Sequence, residues 1–270
     1  TPKMTHSNHP VTSQEKWIQG PNGTLFVRIW SPERPSSQIP VFLLHDSLGC
    51  VELWRNFPAE LCARSGRQVI AYDRLGFGQS DSHPGKLGVA FVAREAETDF
   101  AALRQQLGID RFIVFGHSVG GGMAVNCAAS FGEACVGLIT ESAQAFVEDR
   151  TIQGIEEARE LFKDPAQVGR LKKYHGEKAE WVLGAWIDSW LSPDFASWSL
   201  LPVLPRVKCP ALVVHGIDDE YGSSRHPELI GQLSGGTTRV EVMADTRHVP
   251  HRERESTVVA MVAGFLQGLD

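Results

Sequence analysis

Ser118 lies in Gly116-His117-Ser118-Val119-Gly120, after the apolar run Phe112-Ile113-Val114-Phe115 and just ahead of the helix-forming Met123-Ala124-Val125. A strand, a Gly-x-Ser-x-Gly turn and a helix together make a nucleophile elbow, in which the glycines permit a turn too sharp for side chains and the hydroxyl stands above the sheet. Gly and Ser are abundant, so the pentapeptide alone would be a weak signal, and the bland alternative is a Gly-rich turn. A serine hydroxyl is a poor nucleophile at neutral pH and needs a base within hydrogen-bond reach. His248, in a polar loop after a strand, is the expected base; its competing reading is a capping or surface histidine before the last helix. A carboxylate must hold the imidazole tautomer and stabilise its charge. Asp218 and Asp219 are both candidates, and Glu141, at the end of another strand, is a third. The chemistry is acyl transfer, whose oxyanion needs two preorganised N–H donors. One is Val119, at the positive end of the helix after the serine; the other is expected from the loop after the strand at Val41–Leu44.

Positioning these groups requires a sheet. Residues 16–19 and 24–30 alternate around Pro21-Asn22-Gly23 as a β-hairpin. A buried strand at Val41–Leu44, a helix over 52–65, a strand over 68–72 and a helix over 90–107 follow. The elbow strand and its helix come next, then a strand over 136–140. Strands alternating with helices imply right-handed crossovers and a mainly parallel sheet. The alternation stops near residue 142 and resumes with strands over 211–215 and 239–243 and a terminal helix over 256–269. The expected domains are a polar leader (1–14), a core (15–142 and 208–270) and an inserted helical cap (143–207). The cap holds Trp181, Trp186, Trp190 and Trp198, four of seven tryptophans. Either they pack the cap onto the core, or some line an apolar pocket; Phe146, Trp186 and Trp190 are the pocket candidates.

Composition narrows the partners. A net charge of −6 argues against nucleic acid and anionic membrane. Five scattered cysteines without ligand spacing favour a reducing compartment over a disulfide framework or a zinc site. No stretch approaches the roughly 20 apolar residues that span a bilayer, and the first ten residues lack a signal-peptide core. The expectation is a cytoplasmic protein with a small-molecule substrate, no cofactor and no metal; the oligomeric state cannot be read. The 73–81 loop lacks the Lys-Ser/Thr of a P-loop and the full dinucleotide fingerprint, so it is read as a structural turn beside the site.

Four motifs in order give the chain a family resemblance from about residue 15 onward. They are Leu44-His45-Asp46-Ser47-Leu48-Gly49, Asp73-Arg74-Leu75-Gly76-Phe77-Gly78-Gln79-Ser80, the elbow, and Arg247-His248-Val249-Pro250-His251. The sequence resembles a capped, esterase-like α/β-hydrolase, and the chain order Ser, Asp, His fits that fold. The resemblance implies an α/β fold with a mainly parallel eight-stranded sheet, helices on both faces and an inserted helical cap. It selects Asp219 over Asp218, places the second oxyanion donor at Ser47, and reads His251 as structural. Where the family has His-Gly, this chain has His45-Asp46; aspartate tolerates left-handed backbone, which is the expected way for the loop to keep its shape.

The leading expectation is a serine hydrolase of a small or medium carboxylic ester, lactone or thioester, with an acyl-enzyme on Ser118. One alternative is hydrolysis of a carbon–carbon bond in a ring-cleavage product, although such relatives usually carry Asn in place of His117. Another is a non-catalytic ligand-binding receptor on the same fold. Epoxide hydrolases and haloalkane dehalogenases place Asp where Ser118 stands, which disfavours both. Perhydrolysis is a side reaction compatible with the same residues.

Overall fold

The computed structural model describes residues 10–270. β1 (Val11–Gln19) and β2 (Thr24–Pro32) form an antiparallel hairpin, closed by the Gly20 N–H on the Gly23 carbonyl. Then come β3 (Val41–Leu44), α1 (Phe57–Ser65), β4 (Val69–Tyr72), α2 (Phe91–Glu97) and α3 (Asp99–Gln106). β5 (Phe112–His117), α4 (Val119–Phe131) and β6 (Cys135–Glu141) complete the first half. Three helices follow: α5 (Asp149–Leu161), α6 (Pro165–His175) and α7 (Ala179–Leu191). β7 (Ala211–Gly216), α8 (Arg225–Leu233), β8 (Thr238–Met243), the short α9 (Pro250–Glu253) and α10 (Glu255–Leu266) end the chain.

The eight strands form one sheet in the order β1-β2-β4-β3-β5-β6-β7-β8, parallel from β4 through β8. β3, β4, β5 and β7 are buried along their whole length. That is why they read as unbroken apolar runs, since helices cover both faces. Side chains alternate between two cores. Phe42, Leu44, Ile70, Tyr72 and Val114 meet α2, α3, α4 and α8 on one face. Val41, Leu43, Val69, Ala71 and Phe115 meet α1 and α10 on the other.

Some boundaries differ from the sequence reading. β1 begins at Val11, so residues 11–14 belong to a strand preceded by the exposed Pro10, while residues 1–9 of the expected leader lie outside the described residues. β1 is an exposed edge strand with one buried residue, Ile18, so its alternation is faint. The helix expected over 90–107 breaks at Thr98, whose φ of −108° and ψ of −99° leave the helical region. The one expected over 52–65 is interrupted at Arg55 (φ +55°). α8 has no counterpart in the sequence reading. Pro227 and Gly231 lie inside it and blur its pattern, although His226, Leu229 and Ile230 form a buried face.

Candidate active site

The elbow joins β5 to α4 at a single residue. Ser118 has φ +57° and ψ −121°, a conformation that costs a non-glycine residue about 1–3 kcal/mol. Two backbone bonds hold it: Ser118 N–H to the Glu141 carbonyl at 2.8 Å and Gly121 N–H to the Ser118 carbonyl at 2.8 Å. A side chain on Gly116 would strike the Gly120 carbonyl, and one on Gly120 would strike the Leu44 carbonyl. Helix and strand approach this closely only because both positions are glycine.

His248 arrives from the loop after β8. Its Nε2 lies 3.0 Å from Ser118 Oγ, and its Nδ1 lies 3.0 and 2.9 Å from the two oxygens of Asp219. Asp219 also accepts the N–H groups of Tyr221 (2.8 Å) and Gly222 (3.2 Å). Burial alone would raise the Asp219 pKa, but the charge and hydrogen bond of His248 outweigh it and bring it down to about 2. Burial likewise disfavours charge on His248, yet Asp219, aided by Asp46 and Glu220, raises its pKa above the ordinary value. An imidazole so held can take the serine proton through Nε2 while the carboxylate stabilises the resulting cation. Asp218 is exposed on the turn, with its N–H on the Thr246 carbonyl. Glu141 bonds His251 instead: its Oε1 lies 2.6 Å from Nδ1, and its Oε2 accepts the His251 N–H at 2.7 Å. His117 Nε2 lies 2.8 Å from the His248 carbonyl and tethers that loop.

Ser47 lies beside Ser118, His248 and Asp46 in one cavity. Among the described residues its N–H donates to no protein group. Val119 is the first residue of α4, where an N–H has no partner inside the helix and meets the positive end of the dipole. The expectation that Asp46 adopts left-handed backbone is wrong; the described non-glycine residues with positive φ are Arg55, Ser118, Ser142 and Asp245. The loop finds room for the larger side chain at Gly49, where a Cβ would collide with the Asp46 carboxylate.

The cavity holds about 140 Å³, walled by Trp186, Trp190 and Tyr221 and completed by Gln144, Thr151 and Ile155. Trp186 meets Tyr221 edge-on at 5.8 Å, and Tyr221 meets the His248 ring at 4.8 Å. Phe146 is not among the lining residues; it stacks on His226 with ring centres 4.7 Å apart. Trp181 stacks on His83, and Trp198 on Phe195. The sequence reading missed Tyr221, Gln144, Thr151 and Ile155. Tyr221 alone had a signal, standing two residues after Asp219 in the turn that holds both.

His117, Glu141 and His251 bring ligand-type atoms within 4.8 Å of one another in a buried cluster, which linear spacing could not reveal. Both Glu141 oxygens, His251 Nδ1 and His117 Nε2 are already engaged in the bonds above. The five cysteines are free thiols. No helix among the described residues is long and apolar enough to cross a membrane.

Comparison with known proteins puts this geometry in a family. The pattern described as the alpha/beta hydrolase fold matches residues 39–170. A proline iminopeptidase of Lactobacillus delbrueckii subsp. lactis is 31% identical over 111 residues, 41% of this chain and 37% of the relative, so the match spans little more than a third of that relative's length. The Homo sapiens serine hydrolase BPHL is 26% identical over 212 residues, 74% of this chain and 69% of the relative. Among solved structures, a bacterial membrane phospholipase A superposes with a TM-score of 0.76 at 21% identity, over 95% of this chain and 86% of that one. The matched pattern runs from just before β3 through the elbow into α6, and the chain carries the alpha/beta hydrolase fold.

Proposed function

We propose that the protein is a serine hydrolase that cleaves a small or medium carboxylic ester, lactone or thioester through an acyl-enzyme on Ser118. The observation that carries this reading is the continuous Asp219–His248–Ser118 hydrogen-bond chain, at 2.9 and 3.0 Å, ending in a strained serine beneath a cavity. Ser118 Oγ attacks the carbonyl carbon as its proton passes to His248 Nε2. Asp219 keeps Nδ1–H oriented and offsets the imidazolium charge. The carbonyl oxygen, now an anion, accepts from the N–H groups of Ser47 and Val119. The imidazolium returns the proton to the leaving alcohol or thiol, and water activated by the same histidine releases the acid.

The helical segment 143–207 acts as a cap whose Trp186 and Trp190 bound the acyl group, and a cavity of about 140 Å³ favours a short one. Phe146, facing His226, has no part in this pocket. Free thiols and the absence of a membrane-spanning helix among the described residues suit a cytoplasmic enzyme with a small-molecule substrate.

The test is labelling with a fluorophosphonate, read by intact mass, beside turnover of p-nitrophenyl esters of graded chain length. One adduct on the parent and none on Ser118→Ala, with loss of turnover, is the expected result. Equal turnover in the variant would overturn the proposal.

A further inference from the structure

Arg74 stands in the glycine-rich loop after β4, yet its guanidinium is aimed at the loop after β3. Its Nη1 donates to the His45 carbonyl, and its Nη2 donates to the Asp46 carbonyl at 3.1 Å. The Arg74 N–H donates to His45 Nε2 at 3.1 Å. That bond requires the lone pair on Nε2, so the His45 proton sits on Nδ1 and is donated to the Asp46 carbonyl at 2.8 Å. His45 is buried, which holds its pKa well below the ordinary value and keeps it in this neutral form. Arg74 is 5% exposed, and its charged end lies 4.7 Å from the centre of the Phe77 ring.

Burying a guanidinium on main-chain carbonyls is costly. The position of those carbonyls gives a reason for the burial. A trans peptide is planar, with its C=O and N–H pointing in opposite directions. The Asp46 carbonyl and the Ser47 N–H belong to one peptide plane. Fixing the carbonyl against Arg74 and His45 turns the Ser47 N–H away from them, and Ser47 lies in the cavity shared with Ser118. The His45 carbonyl, held by the same guanidinium, fixes the preceding plane.

We propose that Arg74 is a positioning residue that sets the peptide planes of the oxyanion loop and so aims the Ser47 N–H at the reacting carbonyl oxygen. It touches neither substrate nor reacting atoms. This explains how the loop holds its shape with Asp46, which the resemblance would make glycine, without recourse to left-handed backbone. The inference rests on Ser118 being the nucleophile and Ser47 an oxyanion donor.

The experiment compares the parent, Arg74→Gln and Arg74→Lys on an aryl oxoester and the matching thionoester. Sulfur is a poor hydrogen-bond acceptor, so a thionoester draws little on the oxyanion donors. Fluorophosphonate labelling to completion counts active sites in each preparation. The expected result for Arg74→Gln is full labelling, KM little changed, and an oxoester kcat about 10²-fold lower, the scale of one lost oxyanion donor. The thionoester rate should fall far less, so the oxo-to-thiono ratio drops, with Arg74→Lys between the two. Arg74→Lys keeps a buried cation, so if Arg74→Gln does not fold, its ratio decides. An equal loss on both esters, or an unchanged oxoester rate, overturns the proposal. Failure of the parent to label, or full activity in Ser118→Ala, overturns the underlying reading instead.

Discussion

Glu141 Oε1 lies 2.6 Å from His251 Nδ1, forming a second buried carboxylate–imidazole pair beside the one that joins Asp219 to His248. Glu141 also accepts the Ser118 N–H on its main-chain carbonyl and the His251 N–H on Oε2. One residue therefore ties the serine's turn to the segment just beyond His248. Glu141 is fully buried, yet His251 and His117 keep its pKa below the ordinary value against the effect of burial.

Glu141→Ala would leave two buried donors of His251 without an acceptor. The expected cost is about 3 kcal/mol of folding stability, measured as a lower midpoint in urea at unchanged m-value. A midpoint equal to the parent's would show that water or a neighbour replaces the carboxylate.

The dependence of rate on pH follows from the two shifted groups. In the proposed reaction His248 must be neutral to accept the serine proton, and its pKa is raised. As pH falls, kcat/KM should therefore be lost with an apparent pKa above 6.5, the ordinary histidine value. Asp219, at about 2, stays ionised throughout that limb, so the loss should follow one proton. The sign for stability differs between the groups. The Asp219 contribution, on the order of 2 kcal/mol, is present above its unfolded pKa near 4 and lost as pH falls through about 2. The His248 contribution is present below about 6.5 and lost as pH rises through its folded pKa. A rate flat from about pH 5 to 8 would contradict the histidine base.

Ser118→Gly should be more stable than the parent although inactive. Glycine adopts φ +57° and ψ −121° without the strain of about 1–3 kcal/mol. It loses roughly 0.5–1 kcal/mol more in chain entropy. The difference leaves a gain of about 1 kcal/mol, visible as a higher Tm in calorimetry, whereas Ser118→Ala should not gain.

Trp186 is half-buried and bounds the cavity against Tyr221. Trp186→Ala should lengthen the preferred acyl chain, shifting the ratio of kcat/KM for octanoyl over acetyl esters upward by about tenfold or more, at least the scale of one methylene in an apolar pocket. Trp190, 3% exposed and packed on Phe195 and Trp198, should lose stability when truncated.

The fold was legible wherever a strand is buried on both faces or a turn carries glycines. β3, β4, β5 and β7 announce themselves as apolar runs, and the elbow by Gly116 and Gly120. Ser118 and His248 were named from local motifs and Asp219, over Asp218, from the family resemblance; each lies on its own loop at the carboxyl edge of the sheet, and the structure brings them within hydrogen-bond reach. What escaped depends on contacts between distant segments. The bonds of Arg74 to His45 and Asp46, of Glu141 to His251 and of His117 to the His248 carbonyl join residues 28 to 131 positions apart, which leave no periodicity to read. Phe146 and the tryptophans looked alike in sequence because an aromatic ring suits a pocket wall and a packing contact equally. Only the turn after Glu141 and the helices beyond it decide which way each ring faces.

The first helix after β6 is fastened to the loop that carries Asp219. Glu148, at its start, accepts the Ser223 hydroxyl at 2.6 Å and the Ser223 N–H at 2.9 Å. Arg150 donates to the Asp219 carbonyl at 3.3 Å, and the Thr151 hydroxyl donates to the Tyr221 carbonyl. The cavity wall that Thr151 and Ile155 form and the turn that carries Asp219 are thus one mechanical unit. In the proposed reaction, displacing that wall would strain the turn that orients His248, so an opened protein would also be a detuned one.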